Sequence, residues 1–484
     1  MFFNAPGETC HMYDRMQELD TENLEKIHAA SMDLLKNTGV AFNDDEALEI
    51  FKQNGHQVEG TTVFFEESDI KKALETAPKR FTVHARNPEK SVEIGEDDFV
   101  FLPGYGAPFV IDGQGDQRQA TMEDYDNFCK LVQTSKYINM NGWMMVEPAD
   151  MPHETVHLDL NLSNMLLCDK PFMGSPVSRQ GALDGIEMAG ILWGGKENIM
   201  EKTVSVSLIN SLSPLQFSDE MAGALIELVR HGQACVVASL IMAGGSGPVT
   251  LDGVLALQNA EILAGITLAQ LVKPGAPVVY GSTSSAMDMK TGALSIGAPE
   301  LSKNIHFVAQ IARYYGLPSR AGGGLTDALF TDAQAGAESA LALSTSVRSG
   351  INFMLHSCGI LGSYIAMSFE KFIVDEEICG MVRNMIKPLA LTDESIDLDI
   401  IKDVGIGGQY LTHPKTFKLC RTEFYMPGPM SRMNSDAWAK AGKQRIDQVA
   451  EDKVTQRLAS YEKPEIDPAI EKKLTQYVEN RKKG

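Results

Sequence analysis

"PSRAGGGLTDALFTDAQAG", residues 318–336, carries a proline and an arginine into three consecutive glycines and then into the start of a helix. Glycine clusters mark backbone that bends sharply or approaches something closely. A phosphate loop would need a Gly-Lys-Ser/Thr ending, which is absent here. Residues 318–324 read as a short strand, and Thr331 with Gln334 makes a capping-box pattern that opens a helix running to Gly350. Strand interiors disfavour glycine, so Gly322, Gly323 and Gly324 suggest open space above the strand end. A glycine-rich turn into the helix is the plainer alternative.

The same strand-then-helix unit recurs outward from this stretch. Short apolar runs bounded by turn residues stand at 99–104 (FVFLPG), 138–146 (INMNGWMMV), 171–176 (PFMGSP), 203–209 (TVSVSLI), 234–242 (ACVVASLIM), 277–283 (PVVYGST), 318–324 and 351–357 (INFMLHS). They have the composition of strands covered on both faces. Between them lie punctuated helices: Thr121 with Asp124 opens one, Ser218 another, and Pro299 a third that stops before Gly316. Eight such units predict an α/β fold, a (β/α)8 TIM barrel, with a doubly wound open sheet as the alternative. The rhythm assigns residues 99–386 to the barrel. Residues 1–98 become an N-terminal helical and strand extension, and 387–484 a C-terminal helical appendage. The glycines then fall at the C-terminal end of the seventh strand, where barrel enzymes build their sites.

The chain of 484 residues carries 64 acidic against 43 basic side chains, a net charge of -21. That balance argues against nucleic acid or an anionic membrane as partner. Seven scattered cysteines without a C-x-x-C pair point to free thiols in a reducing cytosol. The N-terminal MFFNAPGETCHMYDRM lacks the basic and apolar regions of a signal peptide. The most apolar long helix, near 252–271, carries Asp252, Gln258, Asn259 and Glu261 and so does not read as a membrane span. These features predict a cytoplasmic protein.

The sharpest formal motif is His153-Glu154-Thr155-Val156-His157. On a helix, H-E-x-x-H sets two imidazoles on one face for zinc, with the glutamate as base of a hydrolase. Pro152 places it at a helix start, where a bound cation is disfavoured, and Glu187 is the best further ligand available. We expect no metal there. Arg320 and His356 lie on adjacent expected strands. A buried arginine needs an anionic partner, either a structural carboxylate or a substrate carboxylate with His356 as second donor. Tyr105 and Trp143 fall near strand ends, where aromatic faces hold cations or simply pack. Glu147, Ser282, Thr283, Thr326 and Asp327 are further polar groups at expected strand ends.

GGGLTDALFTDAQAGAESALAL, SFEKFIVDEEICGMVRNM (368–385) and HPKTFKLCRTEFYMPGPMSR (413–432) with Trp438 and Gly442 resemble the trimethylamine methyltransferase family over nearly the whole chain. The resemblance implies a TIM barrel passing a methyl group from an amine to the cobalt(I) of a separate corrinoid protein. The trimethylamine enzymes carry pyrrolysine, which would fall around residues 322–326; only ordinary residues stand here. The chain therefore resembles the non-pyrrolysine branch, which demethylates quaternary amines such as proline betaine, glycine betaine, carnitine and γ-butyrobetaine, and we place proline betaine first. On this reading Arg320 and His356 bind the carboxylate, and Tyr105 and Trp143 the ammonium group. Gly322, Gly323 and Gly324 give clearance for substrate and corrinoid, and Thr326 and Asp327 beside them are expected to touch substrate as well. No D-x-H-x-x-G corrinoid pattern occurs, so the corrinoid (cobalamin) is expected on a partner protein, with no tightly bound cofactor in this chain. A homo-oligomer is also expected.

Overall fold

The computed structural model describes residues 15–389, 391–392 and 395–483. Cys10 and most of the N-terminal stretch read for a leader lie outside them. Seven strands form one sheet in the order Val100–Pro103, Phe353–Cys358, Ser319–Arg320, Val278–Ser282, Ala234–Ser239, Ser205–Asn210 and Phe172–Met173. All neighbours run parallel, and the last strand in sequence pairs with the first. Every residue of Ala234–Ser239, Val278–Ser282 and Phe353–Cys358 is buried, as strands covered on both faces require.

Two expected strands differ. The run at 138–146 is not a strand, although it touches both sheet edges. Asn139 donates its backbone N–H to Phe101 O (2.9 Å), while Asn141 exchanges bonds with Pro171 O and Met173 N (2.8 and 3.0 Å). The reason lies in its asparagines: the Asn139 side chain accepts from Phe101 N (3.0 Å), and Asn141 Nδ2 turns away to Asn164 Oδ1 (3.0 Å). At Asn139 a side-chain amide thus takes a ladder position that backbone would fill. The run at 318–324 shrinks to Ser319–Arg320, because Gly322 and Gly323 have φ of +67° and +130°, outside strand geometry.

The helices follow their punctuation closely. Thr121 and Asp124 form a reciprocal capping box, Ser218 caps Met221 N, and Pro299 opens Pro299–Tyr314. The helix after the glycines spans Ala333–Ser349, but its cap is Asp332 accepting from Ala335 N (3.0 Å), one residue beyond Thr331. Leu251–Val272 is long and apolar enough to cross a membrane, yet it is mostly buried inside the protein. Its Glu261 accepts from Ser211, Ser213 and Ser239 hydroxyls and from Leu215 N, a role that only an internal helix offers.

Helices Thr21–Asn37, Asp45–Gln53 and Glu67–Thr76 pack on Leu251–Val272. At the other end Ile446–Ala459 packs on Phe369–Met385, and Pro468–Lys482 on Arg179–Leu192. Tyr477 and Arg481 donate to the buried Asp184 (2.7 and 2.8 Å), which fastens the C-terminus.

Candidate active site

Arg320 ends its strand and is only 2% exposed. Its Nη1 donates to Thr283 Oγ1 (3.2 Å), Nη2 lies 3.4 Å from His356 Nδ1, and Nε has no partner. Burial lowers the guanidinium pKa to about 10; only the Tyr364 and Tyr105 hydroxyls push it back up. Among the described residues no carboxylate offsets this charge. The cation is buried and unpaired, an arrangement that costs stability unless an anion arrives.

His356 sits in the left-handed region at φ +64°, where the Phe353–Cys358 strand changes register against Val100–Pro103. Burial, then the Arg320 charge, hold its pKa well below the ordinary histidine value, against a weaker hydrogen bond to the Tyr105 backbone. A neutral ring with Nδ1 unprotonated accepts from Arg320 Nη2.

Aromatic rings continue from this pair. Tyr105 stands 6.4 Å from His356 and 6.3 Å from Trp143, centroid to centroid, and Tyr364 packs on His356 at 4.8 Å. Trp143 is 1% exposed with its indole N–H unpartnered. Burial first, and then the charge of the exposed Glu147, oppose ionisation of the Tyr105 hydroxyl. The structure therefore joins Arg320, His356, Tyr105, Trp143, Tyr364 and Thr283 into one constellation: a buried cation with a chain of aromatic rings beside it.

Other candidates sit elsewhere. The expected clearance at the glycines is filled by protein. A Cβ on Gly323 would stand 2.4 Å from Leu355 O, one on Gly324 2.6 Å from Ser357 O, and one on Gly322 would strike the Ser346 hydroxyl. Their missing side chains let the chain hug the Phe353–Cys358 strand, and Gly324 N donates to His356 O (2.8 Å). Behind them, the fully buried Lys371–Asp375 pair binds Gly324 O and Gly359 N. Thr326 Oγ1 donates to Glu338 (2.5 Å), and the Asp327 carboxylate accepts from Ile296 N, Gly297 N and Ser363 Oγ. Ser282 belongs to a buried network with Gln258 (2.6 Å).

The H-E-x-x-H segment is not a helical face. His153 and Glu154 are exposed in a turn, the helix begins at Val156, and His157 Nε2 pairs with Asp184 (3.1 Å). Glu187 pairs with Lys196. Among the described residues no cluster of potential ligands could hold a metal ion. The zinc hydrolase reading has no site to support it.

A family model described as trimethylamine methyltransferase matches residues 6–484. The chain belongs to the trimethylamine methyltransferase family. Among its relatives, a glycine betaine methyltransferase of Desulfitobacterium hafniense is 46% identical over 96% of this chain and 97% of its own. A proline betaine:corrinoid methyltransferase of Eubacterium limosum is 33% identical over 96% and 97%. A trimethylamine methyltransferase of Methanosarcina barkeri is 31% identical over 96% and 95%. In architecture the chain is similar to the crystal structure of the Methanosarcina barkeri monomethylamine methyltransferase (TM-score 0.51, 10% identity, 93% of this chain and 90% of that one). That likeness concerns the fold alone.

Within this family frame one member of the constellation escaped sequence reasoning. Tyr364 lies in LGSYIAM, which has no periodicity or motif to single it out. Its position depends on a tight hairpin, Ile360–Leu361 paired with Ala366–Met367, whose second strand pairs with the distant Phe109 and Val110.

Proposed function

We propose that this enzyme moves a methyl group from a betaine-type quaternary amine to the Co(I) of a separate corrinoid protein, and that glycine betaine is its substrate. The observation that carries the reading is Arg320, a buried guanidinium with an unpartnered Nε and no offsetting carboxylate among the described residues. A betaine carboxylate supplies the missing charge through charge-assisted hydrogen bonds. His356 acts behind it by accepting from Nη2 and fixing the guanidinium plane. The faces of Tyr105, Trp143 and Tyr364 receive the methylated ammonium by cation–π attraction. The relative at 46% identity moves glycine betaine ahead of proline betaine, which the sequence alone had placed first.

The chemistry asks little more of the chain than alignment. A quaternary ammonium already carries its charge; when the N–CH3 bond breaks, the electron pair stays on nitrogen and the amine leaves neutral. Anchoring the carboxylate at Arg320 leaves the methyl groups pointing away from the buried end. The methyl acceptor is a co-substrate brought by its own protein, with no cofactor resident in this chain. We further propose that residues 138–146, bonded to both sheet edges, complete a closed (β/α)8 barrel. Exposed apolar residues such as Leu389, Phe417 and Phe424 support a homo-oligomer, and the charge and free thiols a cytoplasmic location.

The test supplies glycine betaine, proline betaine, carnitine and trimethylamine singly to the protein with cob(I)alamin and a reduced corrinoid protein, under anaerobic conditions. Loss of the Co(I) absorbance with glycine betaine and none with trimethylamine is the expected result. Calorimetric binding without methyl transfer to either acceptor would make the chain a binding protein instead.

A further inference from the structure

We infer that Ser363, held by Asp327, is a positioning residue that sets the Tyr364 wall of the substrate site; the inference rests on the betaine reading above. Three successive residues at the hairpin tip, Gly362, Ser363 and Tyr364, have φ of +57°, +56° and +76°. Only the first is a glycine. Serine and tyrosine enter this region at a cost, and a run of this kind persists where its surroundings impose it.

What imposes it is a knot of three loops around one carboxylate. Asp327 Oδ1 accepts from Ser363 Oγ (2.6 Å) and from Ile296 N (2.8 Å), and Oδ2 accepts from Gly297 N (3.0 Å). The hairpin backbone adds Gly362 N to Ala328 O (2.8 Å) and Ser363 N to Thr326 O (3.2 Å). Segment 326–328 is itself pinned, since Glu338 accepts from Thr326 Oγ1 (2.5 Å) and Asp327 N (2.9 Å). The anchor is therefore rigid, and the Ser363 hydroxyl is the side-chain tie that fixes the residue beside it. Tyr364 then rests against His356 and adds its hydroxyl to the field at Arg320. Release of the tie lets the tip relax out of the left-handed region and withdraws the ring from the ammonium group. Asp327, expected to touch substrate, acts here through Ser363 and Tyr364.

The experiment measures KM and kcat for glycine betaine in the methyl-transfer assay for wild type, Ser363→Ala, Ser363→Gly, Ser363→Asn, Tyr364→Ala and the Ser363→Ala/Tyr364→Ala double variant. We expect Ser363→Ala to raise KM about 10-fold, the worth of one hydrogen bond to a charged group, with kcat changed less than KM. Ser363→Asn keeps a side-chain donor for Asp327 on a residue that tolerates this φ, and its KM lies closer to wild type than that of the alanine variant. In the Tyr364→Ala background, Ser363→Ala adds nothing, because its effect runs through that ring. Ser363→Gly, free of strain at this φ, must show the same KM rise even if the alanine variant folds poorly. An unchanged KM in Ser363→Ala and Ser363→Gly, or an equal effect in both backgrounds, would overturn the inference while leaving the substrate reading intact. Absence of glycine betaine turnover by wild type would instead overturn the reading beneath it.

Discussion

Arg320 Nη2 and His356 Nδ1 lie 3.4 Å apart, and the pair is held buried by two parallel strands that meet at Arg320 and Phe353. The histidine lends the guanidinium an acceptor but no charge. An arginine so placed is prepared for an anion that none of the described residues provides.

Replacing Arg320 separates affinity from stability. Arg320→Met should raise the KM for glycine betaine by about 100-fold, the loss of charge-assisted bonds to a carboxylate. The same variant should melt at a higher temperature in the absence of substrate, because a buried cation without an offsetting carboxylate has been replaced by an apolar side chain of similar length. Steady-state kinetics together with calorimetry check both. An unchanged KM with a lowered melting temperature would make Arg320 structural.

The pH dependence follows from two depressed groups. His356 stays neutral in the folded chain but takes a proton near pH 6.5 once unfolded. The unfolded state binds more protons below that value, so the histidine's contribution to stability is lost as pH falls beneath about 6.5. Arg320 stays charged until pH approaches about 10, so KM should be flat through neutrality and rise only above that region. A KM rising between pH 6 and 8 would contradict the assignment.

The glycine run should tolerate no side chain. Gly323→Ala places a methyl 2.4 Å from a backbone carbonyl at φ +130° and should cost about 3 kcal/mol or more, read as a shift of the denaturation midpoint. Gly336, on the helix that follows, has no atom within 4 Å of an added Cβ. Gly336→Ala should gain up to about 1 kcal/mol. Equal effects at both positions would contradict the close packing described above.

The buried pair behind the glycines gives a further contrast. Lys371→Met leaves Asp375 buried without its counter-charge and should cost about 3–5 kcal/mol. Adding Asp375→Leu should recover part of the loss, though not the bond from Gly359 N (2.9 Å). Denaturant titration of the single and double variants reads the difference.

Much of this protein was legible in its sequence because the governing forces are local. Strand-length apolar runs, the capping box at Thr121 and the proline at Pro299 each act within a few residues, and the α/β order followed from them. Local reading failed where tertiary contacts compete with it. At 138–146 the Asn139 side chain takes a bond that the ladder expected of an apolar run would have given to backbone. At Gly322–Gly324 sequence could show that a Cβ was unwelcome, but only the Phe353–Cys358 strand lying alongside shows that protein, not substrate, occupies the space.

The sequence by itself determined the alternation of elements and the family, and it singled out Arg320, His356, Tyr105 and Trp143, which the structure brings together. Only the tertiary structure decided that Arg320 has no carboxylate beside it among the described residues, that His153 and His157 part company, and that Tyr364 joins the site. The reason is physical. Whether a charge is paired, and whether a ring faces it, depends on residues dozens or hundreds of positions apart, and packing alone brings those together.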